Sequence, residues 1–510
     1  MSVSLKIQSI WLFLAKFVSF LLAFALPLLV VRYLSREEIG TYRQVFLVVA
    51  NASSILPFGF PMTALYFLPR EPESKNQLIQ NILLFNFLVG GCFFLSFFLF
   101  SDLPAKALAN DQIKDLATLI GLTVWLWTFS TLLETFAIAN QETRIATLFI
   151  VFSQLTKTSL MILAVILFSS IESLLYAAII QGFLQILALI IYLKRNLSFS
   201  WEKPRFSFIR RHLEYAIPLG FTGLIWILQN DLHNYFVSYR FGAEDFAIYA
   251  YGCFQIPLIM ILRESVASVL IPKMSKLQAV DDKEEMIRVT VRSMQKLSLF
   301  YFPTYVFLFT TSDIFIKTLF TEKFDASIPI FLVNITLLPF EILLTDPIVR
   351  AYKELGRLLL RIRILSLIVL VSALYFAIWH VDLTGVITIA VSLVILEKLL
   401  FTAILAKKLG FNTKHLKLLM PVAKTAFSCL IAGFFLFIFI TYTKGVLYGF
   451  FSKIFLPFLA GSFYLLLCLL IFGIAITISG SKLGIFNEEK EFLKQAFEQV
   501  NSVLRYGKQQ

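Results

Sequence analysis

Runs of about twenty apolar residues recur along the whole chain, which is the signature of membrane-spanning helices. About fourteen can be counted, near 10–31, 44–67, 80–100, 116–139, 146–169, 173–193, 213–236, 246–271, 295–312, 327–349, 359–380, 384–406, 421–442 and 454–478. Composition agrees. Across 510 residues, 58% are hydrophobic and 15% charged, where soluble domains carry roughly 25% charge. The expected fold class is an all-α polytopic membrane protein.

The net charge of +13 does not point to nucleic acid, because Lys and Arg gather in alternate connecting loops. The loop 194–212 carries Lys194, Arg195, Lys203, Arg205, Arg210 and Arg211. By the positive-inside rule both termini face the cytoplasm. The first apolar run contains Lys16 and has no small-residue cleavage site before Arg32, so it reads as a retained span. The cysteines Cys92, Cys253, Cys429 and Cys468 fall inside apolar runs, with no disulfide or metal-ligand spacing. The stretch 272–294 reads as helical, and 487–510 spaces Phe492, Ala496, Val500, Val503 and Leu504 as an amphipathic helix on the membrane surface.

Between the first two runs stands RYLSREEIGTY, residues 32–42. Ser35 followed by Glu38 has the spacing of a capping box at the head of a helix. The stretch returns as RFGAEDFAIY, 240–249, so that Glu37 falls on Glu244, Glu38 on Asp245 and Tyr42 on Tyr249. Gly242 then takes the place of Ser35, as glycine can at a cap. A second match sets ETFAIANQETR (134–144) on DPIVRAYKELG (346–356), pairing Glu134 with Asp346 and Ala139 with Ala351. The expected organisation is two six-helix bundles, 1–200 and 201–415, related by an axis along the membrane normal. Two further spans at 416–480 and a tail at 481–510 complete it.

These bundles, the two appended spans, the RYLSREEIGTY loop and LRESVASVLIPKMSK (262–276) resemble the polysaccharide transporter family of the multidrug/oligosaccharidyl-lipid/polysaccharide (MOP) exporter superfamily, the O-antigen-type flippases. The resemblance implies a MATE-like fold in a bacterial cytoplasmic (inner) membrane. It also implies movement of an undecaprenyl-diphosphate-linked oligosaccharide from the inner to the outer leaflet. The expected partners are that lipid, membrane lipids and other membrane proteins of polysaccharide assembly. Two other readings fit the same fold: a cation-coupled multidrug or metabolite exporter, and a lipid II-type peptidoglycan precursor flippase.

Charges within a span are expensive and usually face a bundle interior or a wet cavity. On that ground Lys16, Asn51, Gln154, Lys157, Gln229, Asn230, Gln255 and Arg263 are the candidates for substrate binding. The cations would attract a diphosphate and the amides would meet sugar hydroxyls. The structural alternative is that each is satisfied locally, Arg263 by an acid on another helix. Lys16 and Lys157 have no basic counterpart in the second half, which suits an asymmetric ligand. The matched acids Glu134 and Asp346, with Glu341, suit gating contacts or coupling to an H⁺ or Na⁺ gradient. Glu397 and Lys398 are weaker candidates, and His233 and His380 read as structural. No phosphate-binding loop, nucleophile triad or metal motif is present, so neither an enzyme nor a cofactor or metal is expected.

Overall fold

The computed structural model describes residues 5–203 and 206–485, and the expected helix at 487–510 lies outside them. The described residues form helices joined by short turns, with no strand among them. Hydrocarbon offers the backbone no partner, so each spanning segment satisfies its own N–H and C=O groups as a helix. Ten of the helices are long and apolar enough to cross a membrane. They coincide with the third to sixth and ninth to fourteenth apolar runs. The first run, counted from Phe17 to Tyr33, is apolar but shorter. The second, seventh and eighth are not among the ten, and the second is helical to Ile55, turns at 56–61 and resumes as Met62–Phe67.

The eighth run departs from expectation. Helix Phe206–Gly252 spans the seventh run and the first seven residues of the eighth, bent at Gly242. It is followed by a non-helical stretch, 253–256, and then by helix Pro257–Ala279. Pro257 supplies no backbone donor, and the residue before a proline avoids the helical region. Gln255 therefore sits in a break and does not share one helical stripe with Arg263.

Two compact units are defined, Met1–Pro257 with Leu360–Ala390, and Leu258–Leu359 with Val391–Gln510. These limits place helix Phe206–Gly252 with the N-terminal half. In the first unit, Phe60, Phe67, Ile79, Ile82, Leu133 and Phe136 form one buried cluster. Val45, Val49, Ile120, Val124 and Leu175 form another. In the second unit, the two last spans pack on helix Lys283–Phe320 through Val306, Ile314, Cys429, Leu436, Tyr464 and Phe472. Polar clips reinforce that contact: Ser428 and Ser479 hydroxyls are 2.6 Å apart, and those of Thr443 and Tyr464 2.9 Å. Asp282 caps Lys283–Phe320 by accepting from the Glu285 N–H at 3.0 Å, so the 272–294 stretch is two helix ends around a turn.

The duplication is visible in where helices fail. The fourth run is Gln112–Trp127, a turn at 128–131, then Leu132–Ala139. The tenth run is interrupted at 343–345, and Asp346–Ala351 follows. On the register that pairs Glu134 with Asp346, the first break maps onto 340–343 and adjoins the second at residue 343, and both short helices end on the matched alanines. The chemistry of the break differs between copies. Pro339 and Pro347 remove donors in the second. Thr128 and Ser130 stand in the first, where the Thr128 hydroxyl donates to the Trp125 carbonyl at 2.7 Å.

Candidate functional site

The expected cap at Ser35 is present in full. Its Oγ accepts from the Glu38 N–H at 3.3 Å, and its own N–H donates to Glu38 Oε2 at 2.8 Å. Gly242 adopts φ +79°, which glycine tolerates, and the chain turns there at the place matched to Ser35.

From this cap, helix Arg36–Ile55 runs along helix Phe206–Gly252 inside the first unit. Arg36 pairs with Glu244 at 3.3 Å. Gln44 Nε2 donates to Ser238 Oγ at 2.8 Å and to the Leu108 carbonyl at 3.2 Å. Asn51 Nδ2 donates to the Tyr235 hydroxyl at 3.2 Å, and Asn51 also meets Asp231. Phe58 and Phe221 pack edge to face with centroids 5.5 Å apart. A seam of polar pairs therefore joins the second and seventh runs, with Asn51 at its centre.

A second cluster lies among Gln112–Trp127, Thr143–Phe168 and Ile171–Arg195, also in the first unit. Lys157 places its ammonium 4.2 Å from the centroid of the Trp127 ring, and no acid pairs with it among the described residues. Gln154 donates to Thr158 at 2.9 Å. Gln181 and Gln185 both donate to Ser153 Oγ, one turn before Lys157. The Oε1 atoms of both amides are buried without a partner. An unpaired cation and two unpaired amide carbonyls can together meet an anion and hydroxyl donors.

The third cluster belongs to the second unit. Arg263 reaches Glu341 Oε2 at 3.3 Å and Asp346 Oδ2 at 3.8 Å, and Lys398 pairs with Glu341. Two cations and two acids, drawn from four helical segments, neutralise one another. Arg263 thus stands with Glu341 and Asp346, two of the three acids expected to gate, and 42% of its side chain remains exposed.

The remaining candidates are separate. Lys16 lies on helix Leu5–Tyr33, and its side chain is outside the described residues. The same helix is joined to Thr143–Phe168 by the Ser19 hydroxyl, which donates to the Ile150 carbonyl at 3.3 Å. Gln229 and Asn230 lie on Phe206–Gly252, where Asn230 is exposed and donates to the Trp226 carbonyl at 2.7 Å. Gln255 is exposed in its break. Glu134 is partly buried on Leu132–Ala139. His233 bonds the Tyr249 hydroxyl at 2.8 Å, the satisfied role expected of it.

Sequence reasoning missed Asp231, Gln181 and Gln185. Asp231 is the one acid within the 213–236 run after Glu214 and was discoverable as such. The glutamines carry no signal until their helix is placed against Ser153.

A family model described as "Polysaccharide biosynthesis protein" matches residues 9–329. No curated protein matches. Among solved structures, the chain is similar to lipid II flippase MurJ in an inward closed conformation. The TM-score is 0.64 at 15% identity, covering 93% of this chain and 98% of that one. It is also similar to an inward-facing multidrug resistance MATE family transporter of the MOP superfamily, at TM-score 0.62 and 13% identity, covering 77% and 94%. A MOP superfamily transporter from Pyrococcus furiosus, described by the reverse polarity of its binding pocket, gives 0.56 at 14% identity, covering 79% and 94%. The fold is the one these solved structures share, that of a multi-pass helical membrane protein. The chain belongs to the polysaccharide biosynthesis protein family, whose match covers residues 9–329.

Proposed function

We propose that this protein is a flippase that carries an undecaprenyl-diphosphate-linked oligosaccharide from the inner to the outer leaflet of a bacterial cytoplasmic membrane by alternating access. The observation that carries the reading is the family match over residues 9–329. The unpaired Lys157, flanked by the free carbonyls of Gln181 and Gln185, supports it, since a diphosphate and sugar hydroxyls need that combination. On this reading both termini are cytoplasmic, and the Arg36–Glu244 end of the seam faces outward. The seam then closes the outer side, while Arg263, Glu341, Asp346 and Lys398 form ion pairs that break and re-form during the cycle. Other membrane proteins of polysaccharide assembly would supply and receive the lipid.

Reconstitution tests this directly. Vesicles holding the protein and a fluorescent undecaprenyl-diphosphate oligosaccharide should move the label across the bilayer, read by its exposure to an impermeant quencher. Gradient-driven efflux of a cationic dye with no lipid movement would replace this reading by the drug-exporter one. Movement of lipid II alone would replace it by the peptidoglycan-precursor one.

A further inference from the structure

The second unit holds an apolar cavity of about 160 Å³. Ile287 and Val291 on helix Lys283–Phe320 form one wall, and Leu405 on helix Leu383–Leu409 another. The break at 343–345 adds Leu344, and Leu419 lines the end ahead of helix Met420–Thr443. Thr290 and Thr402 also line it, but their hydroxyls donate to the Met286 and Lys398 carbonyls of their own helices, each at 2.8 Å. Water would find few partners there. An apolar cavity of about 150 Å³ takes a single benzene ring, so the space suits one aromatic side chain and falls well short of a whole lipid tail.

The last described residues lie near one end of this cavity. Helix Pro457–Lys482 closes through Gly484, at φ +68°, with the Ile485 N–H bonded to the Gly480 carbonyl at 2.9 Å, which turns the backbone off the helix axis. Lys424 Nζ donates to the Leu483 carbonyl at 3.2 Å, and Lys424 stands about 7.5 Å along its helix from Leu419. Residues 486–510 lie outside the described residues. Their sequence sets Phe492, Ala496, Val500, Val503 and Leu504 at helical spacing, and Phe492 is the aromatic ring of that stripe. From Ile485 to Phe492 the chain reaches about 10 Å as helix and at most about 25 Å extended. Charge agrees. Glu488, Glu489 and Glu491 come before Phe492, with Lys490 as the single base among them. Arg292 is next to Val291, Lys407 lies just past Leu405, and Lys414 and Lys417 precede Leu419. All four are exposed, and no acid pairs with them among the described residues.

We propose that segment 486–510 docks onto its own chain as an amphipathic helix, with the Phe492 ring in this cavity and the Glu488–Glu491 stretch toward the basic residues around it. Leu344 belongs to the break ahead of Asp346, so the docked segment braces that break against the two long helices. The docking is independent of what the protein transports.

The test uses the full chain with its native cysteines replaced, in detergent and in proteoliposomes. Benzoylphenylalanine in place of Phe492 should cross-link on illumination, within one chain, to peptides covering 287–294 or 402–411. Thr402→Cys gives the cavity a thiol, and adding Phe492→Ala should speed its reaction with a maleimide at least about tenfold, which is what burying one aromatic ring is worth in a closed-to-open ratio. Lys414→Glu with Lys417→Glu should speed it as well, and Glu488→Lys with Glu489→Lys should then restore protection. A rate unchanged by Phe492→Ala overturns the proposal. So do cross-links that reach only lipid, which would lay the segment on the membrane surface, or only a second copy of the chain.

Discussion

Gly40 and Ala243 belong to the two copies of one repeated stretch, and they touch: a Cβ built on Gly40 would lie 1.8 Å from the Ala243 carbonyl oxygen. The neighbouring Arg36–Glu244 pair joins the same two copies. The duplicated segment has thus become a contact between its own halves. Only glycine permits that approach, because the obstructing atom is backbone and cannot swing away.

Gly40→Ala should therefore destabilise the protein by about 1–3 kcal/mol, the usual cost of overpacking a tight contact. Thermal unfolding in detergent reads it. The charge swap Arg36→Glu with Glu244→Arg should shift stability by less than about 1 kcal/mol, since the pair is exposed to solvent. A swap as damaging as the glycine change would mean that charge, and not close packing, holds this end.

Glu341 balances two cations, Arg263 and Lys398. Glu341→Gln leaves them with Asp346 alone and should cost about 3–5 kcal/mol, the range for breaking a buried pair from one side. Adding Lys398→Met should recover most of that loss, because the stranded cation is gone. A double variant no more stable than the single one would show that Lys398 does not depend on Glu341.

Lys157 makes the opposite prediction for stability. Among the described residues no acid pairs with it, and a lone charge within a span costs about 2.5–3.5 kcal/mol on insertion scales. Lys157→Met should insert normally and unfold at the same or a higher temperature, while lipid movement falls at least about tenfold, or ~1.4 kcal/mol in barrier. Parallel loss of stability and transport would mark Lys157 as a structural residue.

Glu142 stands immediately before helix Thr143–Phe168, outside the spans, and its carboxyl bonds side chains of Ile171–Arg195 and the residue after it rather than the helix's own N–H groups. Burial alone would raise its pKa, but hydrogen bonds from Tyr192, at 2.5 Å, and Asn196, at 3.1 Å, outweigh it and hold the carboxyl below its ordinary value. A depressed folded-state pKa contributes stability above the unfolded value and loses it as pH falls through the folded one. The thermal midpoint should therefore drop on acidification toward that range. Glu142→Gln should start lower at neutral pH and show a shallower drop. Equal slopes in the two proteins would remove Glu142 from the acid response.

Much of this architecture was legible because a bilayer imposes one simple rule on sequence. Apolar runs of spanning length gave the helices, and Ser35 with Glu38 gave a cap that the geometry reproduces. The repeat was legible because capping acids and break positions survive divergence. The break at 253–256 was missed, although Pro257 announced it, because the apolar run continues straight through. The surroundings of the candidates were hidden for a different reason. Arg263, Glu341, Asp346 and Lys398 meet only through tertiary packing, and so do Lys157 and Trp127. Apolar periodicity says which face of a helix is buried but not which polar group waits opposite.

The breaks at 128–131 and 343–345 have a mechanical consequence. Threonine and serine mark one and prolines the other, yet each interrupts the ladder of backbone hydrogen bonds that makes a helix a rigid rod. Leu132–Ala139 and Asp346–Ala351 are short levers, each hinged to the segment before it rather than continuous with it.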